Sequence, residues 1–347
     1  MSAHELPYDS FLLVSFGGPE GPDEVMPFLE NVLRGKNVPR ERMLEVAEHY
    51  KQFGGVSPIN SQNRALLAAI RDQFNVAGIE LPTYWGNRNW HPLFADTLRQ
   101  MRDDGCQRTL AFFTSMFSCY SGCRQYREDI IRAREEVGPG APIVDKLRMG
   151  FNHPGFIEPM ADNVRHAVRQ VGGDARTPLL FTAHSIPMAM ATNCDYEKQL
   201  RESCRLVAEA TGASKWDLVF QSRSGPPQQP WLEPDVCDWI KQADEMKKLS
   251  ALVIAPIGFV SDHMEVLFDL DEEAATVCEQ RDIRMARVPT VGTDPRFVTM
   301  IGQLVQERMG ATDRRLALGR LGPWHDVCPA DCCLYTPQRP RPAAEAS

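Results

Sequence analysis

The chain has 347 residues, 43% of them hydrophobic and 24% charged, an ordinary balance for a globular protein in water. Its formal charge of −8 excludes a broad phosphate-binding surface, because non-specific nucleic-acid affinity needs clustered Lys and Arg. No apolar run nears the roughly 20 residues of a membrane span, and the start, MSAHELPYDS, lacks the basic and apolar regions of a secretory signal. A cytoplasmic protein without a transmembrane anchor, and without a nucleic-acid partner, is therefore expected. At about 150 residues per domain the length suggests two domains.

In chain order, residues 10–16 (SFLLVSF) form an apolar run bounded by Gly17-Gly18-Pro19 and read as a buried strand. Residues 59–74 carry Leu66, Leu67, Ile70 and Phe74 at helical spacing, with Arg64, Arg71 and Asp72 off that face. A weaker strand is expected at 81–85 and a strong one at 109–115 (TLAFFTS), followed by a helix over 125–137. A helix at 156–171 then precedes strands at 178–183, 218–221, 251–256 and 285–289. Helices at 196–211, 232–247, 264–280 and 295–309 alternate with those strands. Continuous apolar strands between helices of this length imply parallel sheets covered on both faces. The fold class is therefore α/β. The polar stretch 170–177 (QVGGDART) marks a boundary, giving an N-terminal α/β domain at 8–170, a second at 175–310 and an extension at 311–347. From residue 321 onward that extension is rich in Pro and Cys, and its composition supports neither helix nor strand, so something other than core burial must hold any ordered part.

Parallel α/β sheets bind ligands beyond the carboxyl ends of their strands. His184, in Thr182-Ala183-His184-Ser185-Ile186-Pro187, stands at such an end, where an imidazole can exchange a proton near neutrality. A strand-capping histidine is the plainer alternative. After the strand at 251–256 come Asp262, His263, Glu265, Asp269 and Glu272 or Glu273, an acidic stripe on one helical face. Such stripes are usually solvated surface, but like charges crowded beside a histidine invite a proton or a divalent cation. Phe16-Gly17-Gly18-Pro19 lacks the G-x-G-x-x-G of a dinucleotide site and suits a tight turn beside a ligand. Arg34, Lys36, Arg40 and Arg42 form one local basic cluster, able to hold carboxylates or simply solvated.

The ten cysteines are the odd feature for a reducing compartment. Cys328, Cys332 and Cys333 lie within six residues, and Cys119 or Cys123 can add a fourth thiolate. Four thiolates fit a [2Fe–2S] cluster or a structural zinc. Cys106, Cys194, Cys204, Cys237 and Cys278 lie in or near helical patterns and read as small buried hydrophobes.

Four segments together resemble the ferrochelatase family: Ser15-Phe16-Gly17-Gly18-Pro19-Glu20, Phe53-Gly54-Gly55-Val56-Ser57-Pro58-Ile59-Asn60, the His184 segment, and Ser261-Asp262-His263-Met264-Glu265-Val266-Leu267-Phe268-Asp269-Leu270-Asp271. The stretch Ser121-Gly122-Cys123-Arg124-Gln125-Tyr126-Arg127-Glu128 and the Cys-rich tail resemble its actinobacterial branch. That resemblance implies two Rossmann-like halves with a porphyrin cleft between them and insertion of Fe²⁺, as substrate, into the ring. It implies His184 as the base for pyrrole protons, with Glu265 across the cleft and His263 and Asp262 supporting it. His184 and Glu265 would meet the iron, and Asp269, Glu272 and Glu273 would form its path. Family members often have Glu where this chain has Asp269. Ring and propionate contacts would come from Phe16, Arg34, Lys36, Ser57 and Tyr126.

The branch further implies coproporphyrin III as substrate and a [2Fe–2S] cluster on Cys123, Cys328, Cys332 and Cys333. It also implies a monomer in transient contact with the next haem-pathway enzyme. An apolar lip near 53–59 leaves peripheral membrane contact open. Protoporphyrin IX, another tetrapyrrole with another metal, and a non-catalytic porphyrin or iron carrier with a redox-sensing cluster are the alternatives.

Overall fold

A computed structural model describes residues 7–35, 38–226 and 228–335. The first half runs β1 (Ser10–Ser15), α1 (Pro22–Val32), α2 (Arg40–Gln52), α3 (Ile59–Ala77), β2 (Thr83–Asn87), α4 (Phe94–Asp103) and β3 (Arg108–Phe113). A π-helical turn (Tyr120–Arg124), α5 (Gln125–Val137), β4 (Ile143–Lys146) and α6 (Pro154–Gln170) follow. The second half runs β5 (Leu179–His184), α7 (Met188–Ala191), α8 (Tyr196–Thr211), β6 (Trp216–Gln221), α9 (Val236–Lys247) and β7 (Ala251–Ala255). Next comes one continuous helix made of α10 (Met264–Val266), a π-helical segment (Leu267–Ala274) and α11 (Ala275–Glu279), then β8 (Arg284–Arg287) and α12 (Pro295–Arg308).

Two parallel four-stranded sheets result, ordered β2-β1-β3-β4 and β6-β5-β7-β8. The apolar runs explain why: β1 and β7 are buried along their whole length, as strands covered by helices on both faces must be. Both sheets have the same order, and in each the chain leaves its first strand in opposite directions to reach the two neighbours. The carboxyl ends of β1 and β3, and of β5 and β7, are therefore topological switch points, where crossovers diverge and leave a crevice.

Sequence periodicity does not single out α1, α2, α4 or β4. α2 is strongly polar and buries only Ala47, whereas β4 is a short edge strand with no fully buried residue. α9 starts at Val236, later than the pattern suggests, because Asp235 accepts from the backbone N–H of Cys237 at 2.8 Å and caps the helix there.

The two halves share a core. α6 packs on α8, α12, β7 and β8, and α12 also lies against α3 of the first half. Phe297 of α12 meets Phe112 of β3 at 6.1 Å and Phe156 of α6 at 6.3 Å.

Beyond α12 the described chain forms neither helix nor strand, as its composition implies, and is tied down by body side chains reaching its backbone. Asn152 donates to the carbonyls of Leu318 and Gly322, Glu202 accepts from the N–H of Arg320, and Trp324 packs on Phe151. Arg148 donates to the carbonyl of Leu316 and forms a bidentate pair with Glu307, both nearly sealed from water. Replacing Glu307 by Ala would leave the Arg148 cation buried without its partner. That change should cost about 3–5 kcal/mol, read as a lowered urea midpoint; an unchanged midpoint would show that the pair contributes nothing net.

Candidate active site

His184 ends β5 at the second switch point, and three bonds fix it there. Tyr196 Oη donates to its carbonyl at 3.0 Å, and the Ser185 N–H donates to Gln221 O at 2.8 Å. His184 Nδ1 lies 2.5 Å from the Ser185 carbonyl, an acceptor only, so Nδ1 carries a proton and Nε2 points outward. The loop after β7 must pass close to this strand. The Gly258 N–H donates to Thr182 O at 3.0 Å, and a Cβ at 258 would stand 2.7 Å from Ala183 Cβ. Glycine is the residue that permits the approach. The chain then delivers His263 just before the long helix and Glu265 in its first turn.

These elements converge on one carboxylate. Glu265 Oε2 lies 3.6 Å from His184 Nε2 and 3.8 Å from His263 Nδ1. His184 keeps 33% of its side-chain surface open, enough for a ligand to reach it. Behind the pair, Asp269 Oδ2 accepts from Gln221 Nε2 at 3.2 Å and from Ser222 Oγ. A regular α-helix turns about 100° per residue, so residues four apart drift by roughly 40°. The wider π-helical turn at 267–274 reduces that drift and keeps Glu265, Asp269 and Glu273 in one row. Glu272 and Glu273 continue to an open groove of about 510 Å³ that Asp235, Asp238 and Lys241 also line.

Asp262 takes a different partner. Its carboxylate faces Arg287 at 3.2 Å and Thr290 Oγ1 at 3.3 Å, and its N–H donates to Gln62 at 2.8 Å. It anchors the loop against β8 and α3, and His263 is the residue beside Glu265.

The electrostatics follow from this crowding. Burial opposes a charged His184, but Glu265, the Ser185 carbonyl and Asp269 outweigh it and raise the pKa to about 9. Burial lowers that of His263, more than Glu265 restores. Burial raises Asp269 to about 7, assisted by Glu265 and Glu273 and opposed by the Ser222 hydrogen bond. At neutral pH the site thus holds a charged His184, a neutral His263 and a half-protonated Asp269. It carries protons that an arriving cation can displace.

Helix α2 faces this row from the first half. His49 stacks on Phe268 with centroids 3.7 Å apart, and Tyr50 is held protonated by burial and by the Glu265 charge. Phe28 lies edge-on to Phe16, Tyr50 and Trp90 at 6.0–6.2 Å, making an aromatic wall after β1. Ser57 is buried beneath Gly18, where a Cβ would stand 2.7 Å from it. Arg34 is exposed and bonds Asn31, and Lys36 lies outside the described residues. Tyr126 is interior, between Phe94 and Phe113 with Arg88 over its ring. Sequence reasoning missed His49, Tyr50, Trp90, Gln221 and Ser222. Gln221 and Ser222 had one usable signal, their place at the end of strand β6.

A second cluster of donors lies where the tail meets the π-helical turn 120–124. Cys332 Sγ and Cys333 Sγ are 3.5 Å apart, and the Cys328 thiol lies close enough to Cys123 to act on its titration. Lys146 Nζ donates to Cys123 Sγ at 3.3 Å. Cys328, and then Lys146, hold the Cys123 thiol well below its ordinary range despite burial. Cys119 Sγ instead accepts from the Gly122 N–H at 3.1 Å and pairs with Ser121 Oγ, capping its own turn. Four thiols from two distant segments, one already favouring the thiolate, fit a [2Fe–2S] cluster. Of the scattered cysteines, Cys106, Cys204 and Cys278 are buried among hydrophobes, while Cys194 and Cys237 are half-buried.

The family model for ferrochelatase matches residues 8–309. The chain belongs to the ferrochelatase family. It is a lyase of the kind that inserts iron into a porphyrin. A ferrochelatase of Rhodopirellula baltica is 75% identical over 96% of this chain and 95% of its own length. A coproporphyrin III ferrochelatase of Streptomyces coelicolor is 50% identical over 97% and 96% of the two chains. SirB from Bacillus subtilis, solved with Fe³⁺, covers 87% of this chain and 98% of its own with a TM-score of 0.54. At 11% identity that likeness speaks for the ferrochelatase fold alone. Among the described residues, no helix is long and apolar enough to cross a membrane.

Proposed function

We propose that this ferrochelatase inserts Fe²⁺ into coproporphyrin III, in a cleft between an N-terminal half (8–170) and a C-terminal half (175–310), with 311–347 as an extension. The observation that carries this reading is the His184–Glu265 contact of 3.6 Å at the carboxyl end of β5, backed by Asp269. The choice of coproporphyrin III is supported by relatives of that name at about half identity along nearly the whole chain.

Insertion exchanges one Fe²⁺ for two pyrrole protons. His184 Nε2 is the base, and its own proton must leave first. Asp269, poised near neutrality, takes that proton through the row of carboxylates, and Glu273 and Glu272 pass it to the groove. The same row, read inward, draws a hydrated cation toward Glu265 and His184, because each step offers an oxygen ligand. In this reading Phe16 and Trp90, packed on the buried Phe28, supply a face for the macrocycle, and the exposed Arg34 is available to a propionate. Binding against a rigid wall can strain the ring, at roughly 1–5 kcal/mol taken from remote contacts.

Glu265→Gln tests the pairing. In the native chain kcat/KM should rise with pH until His184 loses its proton near pH 9. Without the Glu265 charge, burial dominates and the histidine pKa falls. The acid limb of the profile should then move to lower pH while the maximum rate drops. An unmoved limb would show that Glu265 does not set the protonation of the base.

Cys123, Cys328, Cys332 and Cys333 hold the cluster in this reading. When bound, it supplies ligation energy to a tail that lacks helix and strand, together with one-electron redox capacity. Lys146, next to Cys123, neutralises part of the ligand charge.

A further inference from the structure

The tail brings a donor other than cysteine to the same place. One ring nitrogen of His325, Cys328 Sγ and Cys332 Sγ lie within 4.8 Å of one another. In a [2Fe–2S] centre each iron takes two protein ligands, so no three protein donors share one ion. Three donors this close match a single tetrahedral ion instead. With Zn–S near 2.3 Å and Zn–N near 2.0–2.1 Å, neighbouring donors around zinc stand roughly 3.5–3.8 Å apart. Cys123 Sγ lies beside Cys328 but outside this mutually close trio, and is the fourth donor that a tetrahedral ion would draw in.

The loop that presents these donors is held from the body. Arg124 donates to the carbonyls of Ala330 at 2.8 Å and Cys332 at 3.0 Å. On the other flank Arg315 donates to Trp324 O at 2.8 Å and pairs with Asp326 at 3.1 Å, bracketing His325. The donors are thus positioned by contacts that require no metal, which lowers the ordering cost of binding one. Cys333 touches Cys332, Sγ to Sγ at 3.5 Å, but is not within reach of all three donors; its backbone is left-handed, with φ 57°, and its side chain is buried.

We propose that the tail centre has a second occupant: His325, Cys123, Cys328 and Cys332 bind one divalent ion of the zinc type when no iron–sulfur cluster is present, leaving Cys333 free. The proposal does not depend on the cluster itself, since the His–Cys₃ set can serve a chain that never receives one.

Co²⁺ is the probe, because its thiolate charge-transfer absorption reports cysteine ligation and is silent for the carboxylates and imidazoles at Glu265. Full-length protein stripped of metal under anaerobic, reducing conditions is titrated with Co²⁺ and then with Zn²⁺. One Co²⁺ per chain should give thiolate bands with tetrahedral ligand-field absorption, and Zn²⁺ should displace it. His325→Ala should weaken binding by about 10–100-fold, the scale of losing a ligand's support, whereas Cys333→Ser should leave both affinity and bands unchanged. Absent thiolate bands, binding indifferent to His325→Ala, or binding that needs Cys333 would each overturn the proposal. Visible iron–sulfur absorption of the protein as isolated is recorded separately, so a missing cluster and a missing zinc-type site are distinguishable results.

Discussion

Replacing His184 by Ala should lower kcat for iron insertion by about 10²–10⁴-fold, the usual worth of a positioned general base. The size follows from position. His184 is the residue that the end of β5 projects into the crevice, its Nδ1 is committed to the Ser185 carbonyl, and its Nε2 faces Glu265. Water could still accept pyrrole protons in the variant, but it would not be held at the ring. The porphyrin affinity should change far less than the rate, because the aromatic wall and the first half of the cleft are untouched. Titrating porphyrin fluorescence against the variant gives that affinity directly. A variant that binds porphyrin normally and turns over at the native rate would remove His184 from the chemistry. Loss of binding with an intact rate at saturation would recast it as a substrate contact.

The second large effect concerns the tail. Cys123→Ser should abolish the visible iron–sulfur absorption, whereas Cys119→Ser should leave it intact. The two cysteines are four residues apart, but the turn between them gives them different roles. Cys119 is consumed by the Gly122 N–H and Ser121, while Cys123 points to Lys146 and Cys328. Once the cluster is lost, the segment carrying Cys328 to Cys333 is held by backbone bonds to Arg124, the Arg315–Asp326 pair before it and the packing of Tyr335 on Tyr120 after it. Limited proteolysis should then cut there first, within a body that remains folded. A Cys119→Ser protein that loses its absorption, beside a Cys123→Ser protein that keeps it, would reverse the ligand assignment.

Much of this architecture is legible in the sequence, for identifiable reasons. Strands such as β1 and β7 are apolar at every position, a pattern that parallel sheets demand and that little else produces at that length. His184 and Glu265 were legible because both follow such strands, and strand ends are where open sheets bind ligands. The wall contributed by α2 was not. Its residues are charged or half-exposed, so no periodicity marks them, and Tyr50 and His49 acquire meaning through elements far along the chain. Asp262 shows the converse limit. Spacing groups it with Glu265, but its true neighbour, Arg287, lies 25 residues away on β8 and no local pattern reveals it. His325 escaped notice for a related reason. An isolated histidine in a Pro- and Cys-rich tail carries no periodic signal until the fold sets it beside two thiols.

The most direct test is an anaerobic assay of the purified full-length chain with Fe²⁺, supplied with coproporphyrin III and protoporphyrin IX in turn. Coproporphyrin III should be metallated with the higher kcat/KM, and His184→Ala should remove that activity. Preference for protoporphyrin IX would contradict the substrate assignment, and metallation of neither porphyrin would contradict the catalytic reading of the His184–Glu265 site.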